Sequence, residues 1–237
     1  MSPQQGNAAD PAAVRRMFDR IAPIYDRMNS LMTGGLDQRW RRDAARAARV
    51  GPGMRVLDVA CGTGHLARLV ADRVGASGEV VAIDASEGML ARARRAAGGM
   101  PIDYRRADAL ALPFPDASFD AATIGFGLRN LADYGRGLAE MRRVVRPGGR
   151  VVVLEIAQPG GGPGRALFGL WFRRVVPLLG RVVRHPGAYA YLPASVLGYP
   201  GPERVSDLLR AAGLVDVRWR WLASGLATLH VGAVADG

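Results

Sequence analysis

Arg129 and Asn130 stand side by side directly after an apolar run, in the stretch Ile124-Gly-Phe-Gly-Leu-Arg-Asn130. A turn does not need an Arg, and a helix cap needs only the Asn. The pKa of a guanidinium is too high for it to act as a general base, but it stabilises negative charge on a nearby oxygen. The amide of Asn130 can orient a hydroxyl group or hold Arg129. We therefore predict that both are catalytic residues acting on an acceptor oxygen.

Acidic residues also occur where three predicted strands end. Asp58 closes the first strand and precedes Gly62-Thr63-Gly64, Asp84 closes the second strand, and Asp108-Ala109 follows the third. Glycines let a ligand approach the backbone, and a carboxylate at Asp84 can accept both hydroxyl protons of a ribose. Asp108 can accept a hydrogen bond from an adenine amino group, or it can satisfy its own loop backbone. The pattern predicts a nucleoside-binding site.

Two cofactors compete for this site. The spacing Gly62-x-Gly64-x-x-Ala67 matches the dinucleotide pattern, although that pattern alone is weak. S-adenosylmethionine has no phosphate, and it needs polar groups for an amino-acid ammonium and carboxylate instead. Asp58 favours an ammonium and does little for a pyrophosphate. The sequence therefore favours S-adenosylmethionine as the cofactor.

Strands and helices alternate around these residues, which predicts a parallel sheet covered on both faces. The final strands are joined by a short connection, which predicts an antiparallel hairpin. A helical segment over residues 12–50 precedes the first of the predicted strands. The predicted strands span 54–60, 78–84, 101–108, 118–127, 150–156, 215–222 and 226–234, and the predicted helices span 65–74, 86–97, 131–149 and 202–214.

This order predicts a Rossmann-like α/β fold: a seven-stranded, mostly parallel sheet with a C-terminal antiparallel hairpin, a helical N-terminal segment and an inserted cap. Residues 1–11 are small and polar, so we expect a disordered tail there. Residues 12–237 are predicted to form a single domain. The cap is expected at about residues 158–202, where Gly, Pro and aromatic residues interrupt the alternation.

The composition limits the classes of protein. All 32 basic residues are Arg, and the net charge is +11, which fits either a solvated Arg-rich surface or an anionic partner. Cys61 is the only cysteine, so no internal disulfide can form, and the three histidines show no metal-ligand spacing. We find no signal peptide and no uncharged stretch long enough to span a membrane. A cytoplasmic location and a site without metal are expected.

The chain resembles the class I S-adenosylmethionine-dependent methyltransferases. More narrowly, it resembles the ubiquinone/menaquinone biosynthesis C-methyltransferases of the UbiE/MenG type, from about residue 14 to residue 232. The glycine motif is common to the whole superfamily, whereas "YDRMN" (25–29), "GLRN" (127–130) and "LHVG" (229–232) are more specific. The matching segments are 17–42, 56–67, 107–155, 188–196 and 224–232.

The resemblance implies particular cofactor positions, and this sequence departs from the family pattern near them. Gly125 stands where the family usually has Ser, His65 where it usually has Asp, and Asp37 where it usually has His. These departures do not change the predicted cofactor, S-adenosylmethionine. Combining motif and resemblance, the predicted cofactor-binding residues are Asp58, Gly62, Thr63, Gly64, Asp84, Asp108, Ala109 and Gly125.

The acceptor is expected to be a quinol. A carbon nucleophile must be electron-rich, and a reduced quinol, above all as its phenolate, places charge on a ring carbon, whereas a quinone does not. Family-matching positions add Tyr25, Tyr189, Tyr191 and His230 as predicted substrate-binding residues. Tyr25 and Tyr191 are also consistent with packing roles, and His230 with a buried histidine in a core strand.

The resemblance favours a demethylmenaquinol, or the equivalent benzoquinol of the ubiquinone pathway, as the lipidic substrate. The divergent segment 158–202 keeps another small phenolic metabolite open as the acceptor. A nucleic-acid-methylating protein is less favoured, because no RNA-binding motif accompanies the basic charge. Residues 165–185 combine bulky apolar residues with five Arg, which fits either a lid helix or peripheral contact with the inner face of a membrane.

Overall fold

The computed structural model describes residues 6–7, 9–159, 161, 170, 174, 186–222 and 225–236. A seven-stranded sheet in the order β3-β2-β1-β4-β5-β7-β6 forms its centre. Only β7 runs antiparallel to its neighbours β5 and β6. The strands are β1 (Arg55–Val59), β2 (Glu79–Asp84), β3 (Ile102–Arg106), β4 (Phe119–Gly125), β5 (Val145–Ile156), β6 (Leu214–Leu222) and β7 (Ala227–Val234).

Three helices precede the sheet and five others lie between or after its strands in the described part of the chain. A short 3₁₀ turn, Leu128–Asn130, follows β4 directly. The helices are α1 (Pro11–Ile21), α2 (Tyr25–Thr33), α3 (Leu36–Ala47), α4 (His65–Val74), α5 (Glu87–Ala96), α6 (Tyr134–Val144), α7 (Pro186–Leu197) and α8 (Pro202–Ala211).

The apolar strands explain why both faces of the sheet are covered. Successive side chains of a strand point to opposite faces, so Val56 joins the core formed with α3, α4 and α5, while Leu57 joins the core formed with α6 and α8. Both side chains are fully buried. The strand order reverses between β1 and β4, and an open α/β sheet has a crevice at the carboxyl ends of the strands there.

The predicted fold class is confirmed, with local differences. The predicted helix 131–149 ends already at Val144, because Val145 pairs with Phe119 and begins a longer β5. The N-terminal helical segment consists of three helices, and Gly34 ends α2 in the left-handed conformation (φ 59°) that glycine adopts without strain.

Residues of the expected N-terminal tail make defined contacts, whereas only part of the predicted cap belongs to the described residues. Asn7 falls in the expected tail, yet its backbone N–H donates to the carbonyl of Leu131 at 2.8 Å, and Asp10 caps α1. Most of 158–185 lies outside the described residues, including nearly all of the amphipathic segment. The described part of the predicted cap contains α7. Among the described residues, no helix is long and apolar enough to cross a membrane.

Candidate active site

A cavity of about 230 Å³ opens at the carboxyl ends of β1, β2 and β4. Its floor is the turn after β1, and α1 and the start of α2 form its outer wall. Most of the residues predicted from the sequence line it, namely Tyr25, Asp58, Gly62, Thr63, Asp84, Asp108, Ala109, Gly125 and Asn130. These residues come from five separate segments of the chain, four of which follow the carboxyl ends of β1, β2, β3 and β4.

Asp58 carries a carboxylate oxygen without a partner. Its side chain is buried, Oδ1 accepts a hydrogen bond from the Thr123 hydroxyl at 2.6 Å, and Oδ2 has no hydrogen-bond partner. Burial raises the pKa of Asp58 to about 7, although the Thr123 hydroxyl and the positive charge of Arg41 oppose the shift. A cationic ligand group in the cavity would satisfy Oδ2 and favour the ionised form.

The Asp84 carboxylate accepts hydrogen bonds from two backbone N–H groups, one of which belongs to the glycine turn. The N–H of Gly62 donates to Asp84 Oδ2 at 2.8 Å, and the N–H of Ser86 donates to Oδ1 at 2.8 Å. Burial raises the pKa of Asp84 despite these bonds. A carboxylate oxygen accepts two hydrogen bonds, so each oxygen of Asp84 retains one lone pair for a ligand hydroxyl.

Thr63 and Gly64 take different positions in the same turn. The Thr63 hydroxyl lines the cavity and donates to Asp26 Oδ1 at 2.6 Å, which ties the turn to α2. Gly64 itself does not line the cavity, although its neighbours Thr63 and His65 do, and its predicted cofactor contact stays a prediction. A Cβ at Gly64 would lie 2.5 Å from the Tyr104 hydroxyl, and its φ of 74° is left-handed. Glycine is required there for packing and for the backbone of the turn.

The turn after β3 places Asp108 and Ala109 at the rim of the cavity. Asp108 Oδ1 accepts from the backbone N–H of Leu110 at 2.9 Å, so both alternatives drawn from the sequence hold: the side chain satisfies its own loop and also faces the cavity. At Gly125, an added Cβ would lie 3.1 Å from Leu66 Cδ2. A larger residue at position 125 would require Leu66 to move.

Arg129 has a different orientation from the one expected. Its side chain is buried away from the cavity, donating to Glu155 Oε1 at 2.5 Å and to the Phe126 carbonyl at 2.7 Å. Its backbone N–H also donates to Glu155 Oε2 at 3.1 Å. Burial acts against the charged form, but Glu155 outweighs it and the pKa of Arg129 is raised. The expectation that Arg129 points at an acceptor oxygen is therefore corrected.

Asn130 does face the cavity, and its amide orientation is defined by its partners. Nδ2 donates to the Phe126 carbonyl at 3.2 Å, and Oδ1 accepts from the Tyr191 hydroxyl at 2.9 Å. The Tyr191 hydroxyl accepts in turn from the Asn7 side chain. Because a carbonyl oxygen can only accept, Nδ2 must face Phe126, and its second hydrogen is left for another acceptor.

The other predicted substrate-binding residues are distributed differently. Tyr25 lines the cavity at the start of α2, 6.0 Å from the Phe18 ring. His230 is fully buried outside the cavity, where it stacks on Trp219 and contacts the Pro202 carbonyl at 3.0 Å, so its predicted substrate contact is corrected. Tyr189 lies in α7, but its side chain falls outside the described residues.

Several residues of the cavity wall were not predicted as site residues, among them Phe18 and Arg41, whereas Asp26, which supports the wall, was a polar candidate at a family-matching position. Asp26 stands in the "YDRMN" segment, so the motif contained a signal for it. Arg41 carried no signal, because it is one of 32 arginines and stands in an Arg-rich helix. Phe18 is one of the apolar positions of α1, a pattern that indicates packing as readily as a cavity wall.

We expect Glu155→Leu to lower the free energy of unfolding by about 3–5 kcal/mol, because it leaves the buried Arg129 charge unpaired. The double variant Arg129→Met/Glu155→Leu should recover part of that loss. Urea unfolding measures both. Asp207→Ala breaks the exposed Arg210–Asp207 pair and is the control, with an expected change below about 1 kcal/mol. A Glu155→Leu effect as small as the control would contradict the importance of the buried pair.

Asp58 should make the ligand-free protein less stable as the pH rises. The pKa of its carboxyl is about 7 in the folded protein and 3.8 in the unfolded chain. As the pH rises, the carboxyl therefore ionises at a lower pH in the unfolded state than in the folded state. Stability is therefore lost between about pH 4 and pH 7, by up to about 4 kcal/mol at 1.4 kcal/mol per pKa unit. Asp58→Asn keeps an acceptor for Thr123 and should remove this loss.

The measurement is urea unfolding of both proteins from pH 4 to pH 8, with the exposed Asp72→Asn as the matched control. The stability of Asp58→Asn relative to the unsubstituted protein should increase with pH. Parallel curves for the two proteins would show that Asp58 does not titrate in this range.

Comparisons with known proteins identify the relatives of this chain. Its residues 6–234 match the model of the ubiE/COQ5 methyltransferase family. The chain is 47% identical over 219 residues to a demethylmenaquinone methyltransferase of Thermus thermophilus, covering 91% of this chain and 99% of that protein. It is 43% identical to a ubiquinone/menaquinone biosynthesis C-methyltransferase of Geobacter sulfurreducens, over 92% of this chain and 87% of that protein.

Solved structures agree on the fold. A SAM-dependent methyltransferase of Thermotoga maritima aligns with a TM-score of 0.64 at 18% identity, over 93% of this chain and 99% of that one. The [4+2]-cyclase SpnF aligns with a TM-score of 0.65 at 20% identity, over 98% and 100%. The fold is thus shared with an enzyme named for a different reaction. The family model and the relatives instead confirm the predicted family: this chain belongs to the ubiE/COQ5 methyltransferase family.

Proposed function

We propose that this chain transfers the methyl group of S-adenosylmethionine to a ring carbon of a polyprenyl quinol, with demethylmenaquinol as the leading acceptor. The observation that carries the proposal is the single cavity in which the unpartnered Oδ2 of Asp58, the carboxylate of Asp84 and the amide of Asn130 meet. The relatives named demethylmenaquinone methyltransferases support this acceptor, since they match over nearly their whole length.

The residues present fit S-adenosylmethionine. The buried, unpartnered Asp58 Oδ2 suits an ammonium group, whereas the phosphates of a dinucleotide would be repelled by it. Asp84 offers two free lone pairs to ribose hydroxyls, and Asp108 at the rim offers an acceptor to adenine. When bound, this cofactor supplies an electrophilic methyl group on a sulfonium.

Asn130 is the residue best placed to act on the acceptor. One Nδ2 hydrogen is used by the Phe126 carbonyl and Oδ1 is used by Tyr191, so the group that remains is an N–H donor. A donor stabilises a phenolate oxygen more than a neutral hydroxyl, and a phenolate places more charge on the neighbouring ring carbon. Asn130 would thereby favour the reactive form of a quinol, whereas a hydrogen bond to a quinone carbonyl would not make a ring carbon nucleophilic.

Arg129 supports the position of Asn130 through a shared hydrogen-bond acceptor. Its guanidinium and the amide of Asn130 donate to the same carbonyl, that of Phe126. Glu155 holds the guanidinium in place, so the orientation of the Phe126 carbonyl, and with it that of Asn130, is determined by a buried ion pair. Arg129 is therefore proposed as a positioning residue that acts through Phe126 and Asn130.

A polyprenyl tail must leave the cavity on the side of the acceptor. A lipidic acceptor is coupled to peripheral membrane contact, because its tail partitions into the bilayer. The amphipathic segment 165–185 remains the predicted contact, and nearly all of it lies outside the described residues. A nucleic-acid partner is not expected.

The acceptor is tested with methyl-labelled S-adenosylmethionine and a panel of acceptors: demethylmenaquinol, a demethylated benzoquinol, the two oxidised quinones, simple phenols and RNA. We expect a new carbon–methyl bond on the reduced quinols only, located by mass spectrometry. Asp84→Ala is the control for contaminating activity and should be inactive. Methylation on oxygen, or of a simple phenol or RNA in place of the quinols, would contradict the proposed acceptor.

Tyr191→Phe tests the orientation of the Asn130 amide. The variant loses the hydrogen bond to Oδ1, so we expect a loss of about fivefold in kcat/KM for the quinol, the value of one neutral hydrogen bond, with unchanged affinity for S-adenosylhomocysteine. Tyr199→Phe is the matched control, because the buried Tyr199 hydroxyl has no hydrogen-bond partner. Equal kinetics for both variants would show that Tyr191 only packs.

A further inference from the structure

We propose that Arg41 binds the carboxylate of the methionine moiety of S-adenosylmethionine, and that Asp37 positions Arg41 for this contact. The inference rests on the proposed methyl donor but not on the identity of the acceptor. Asp58 accounts for the ammonium of that moiety, and the cavity must also compensate the carboxylate beside it.

Arg41 lies in α3, which packs against α4 and β5, whereas α1 packs against α5. Its side chain is buried, yet it lines the cavity together with Asp58, Phe126 and Gly127. One guanidinium nitrogen donates to Asp37 Oδ2, and the guanidinium carbon stands 4.9 Å from the centre of the Phe126 ring. The charge is therefore held from two directions at the end of the cavity that Asp58 occupies.

The guanidinium retains donors for a ligand. An arginine has five N–H donors, and the hydrogen bond to Asp37 is the only one that Arg41 makes among the described residues. A buried guanidinium with free donors at the wall of a cavity is well matched to a carboxylate, which accepts two parallel N–H bonds. Arg41 also lowers the pKa of Asp58, so the two charges interact across the cavity.

Asp37 is built to hold Arg41. Its carboxylate is buried, with Oδ2 on Arg41 and Oδ1 accepting from the Thr33 hydroxyl at 3.1 Å. The arginine is one turn further along the same helix, an i, i+4 pair. A buried carboxylate that is satisfied on both oxygens keeps the arginine charged and restricts its rotamers.

Two other basic side chains line the cavity, and neither occupies this end as a cation. Burial, together with the charges of Arg41 and Arg68, lowers the pKa of His65 to about 4, so this imidazole is neutral at pH 7. Arg15 stands on α1, which packs against α5, and the next turn of α1 places Asp19 on the Ser86 hydroxyl at 2.6 Å. The face of α1 that carries Arg15 therefore packs beside Ser86, two residues after Asp84, where the ribose would bind.

The test compares two ligands that differ in the amino-acid moiety. S-adenosylhomocysteine carries the carboxylate and ammonium, whereas 5′-methylthioadenosine carries neither. We expect Arg41→Gln, which keeps a donor for Asp37, to weaken S-adenosylhomocysteine about ten- to a hundredfold by titration calorimetry, as expected for a hydrogen bond to a charged group. Its affinity for 5′-methylthioadenosine should be unchanged, which also reports that the nucleoside site is intact.

Decarboxylated S-adenosylmethionine separates the carboxylate from the ammonium. The unsubstituted protein should bind it more weakly than S-adenosylmethionine, and in Arg41→Gln that difference should nearly disappear. Arg42→Ala, an exposed neighbour on the same helix, is the matched control and should behave as the unsubstituted protein. Arg41→Lys keeps the ion pair with Asp37 and is the substitute variant if Arg41→Gln does not fold. It should bind S-adenosylhomocysteine more weakly than the unsubstituted protein, by less than Arg41→Gln does, and should bind 5′-methylthioadenosine with unchanged affinity.

Three results would overturn the proposal. They are an unchanged affinity of the Arg41 variants for S-adenosylhomocysteine, an equal loss for both ligands, and a selective loss in Arg15→Ala in place of Arg41→Gln. Each readout is an affinity measured without a quinol. A wrong acceptor therefore leaves this test unaffected, and failure of this test leaves the acceptor assignment standing.

Discussion

The buried ion pair between Arg129 and Glu155 is the interaction on which the acceptor side of the cavity depends. Glu155 is fully buried near the end of β5, and its two oxygens hold the side chain and the backbone N–H of Arg129. Arg129 then fixes the Phe126 carbonyl, to which Asn130 also donates. A buried pair of this kind adds little net stability, but either charge left alone is costly, so the loop after β4 has few alternative conformations.

The donor side depends on a different constraint, the crowding of carboxylates at one edge of the sheet. Asp58 and Asp84 lie at the carboxyl ends of the neighbouring strands β1 and β2; burial raises the pKa of both carboxyls, and the charge of Asp84 adds to the shift at Asp58. Asp84 is satisfied by backbone N–H groups, whereas Asp58 keeps one oxygen unpaired. Such an arrangement is unfavourable in the empty protein and becomes favourable when a cation enters, which is a physical reason for selectivity toward a ligand with an ammonium.

Much of the fold and of the donor side could be predicted from the sequence, because both follow from local patterns. The helix His65–Val74 was predicted with its observed ends, and the carboxyl ends of parallel strands necessarily bring Asp58 and Asp84 together. The direction in which a side chain points depends on contacts with residues distant in sequence, so local patterns do not predict it. The adjacency of Arg129 and Asn130 could not show that one turns inward to Glu155, 26 residues later, while the other faces the cavity.

The N-terminal helices show how a general fold acquires a specific site. The glycine turn proposed to bind a nucleoside follows a strand of the sheet, but Asp26 of α2 accepts a hydrogen bond from Thr63 of that turn, and Arg41 of α3 supplies a positive charge to the cavity that Asp58 lines. Both come from residues before β1, outside the alternating part of the chain. The Arg-rich composition concealed the second contribution, because a functional arginine among 32 cannot be recognised by its residue type. Only its burial beside Asp37, with donors left over, distinguishes it from the solvated arginines on the same helix.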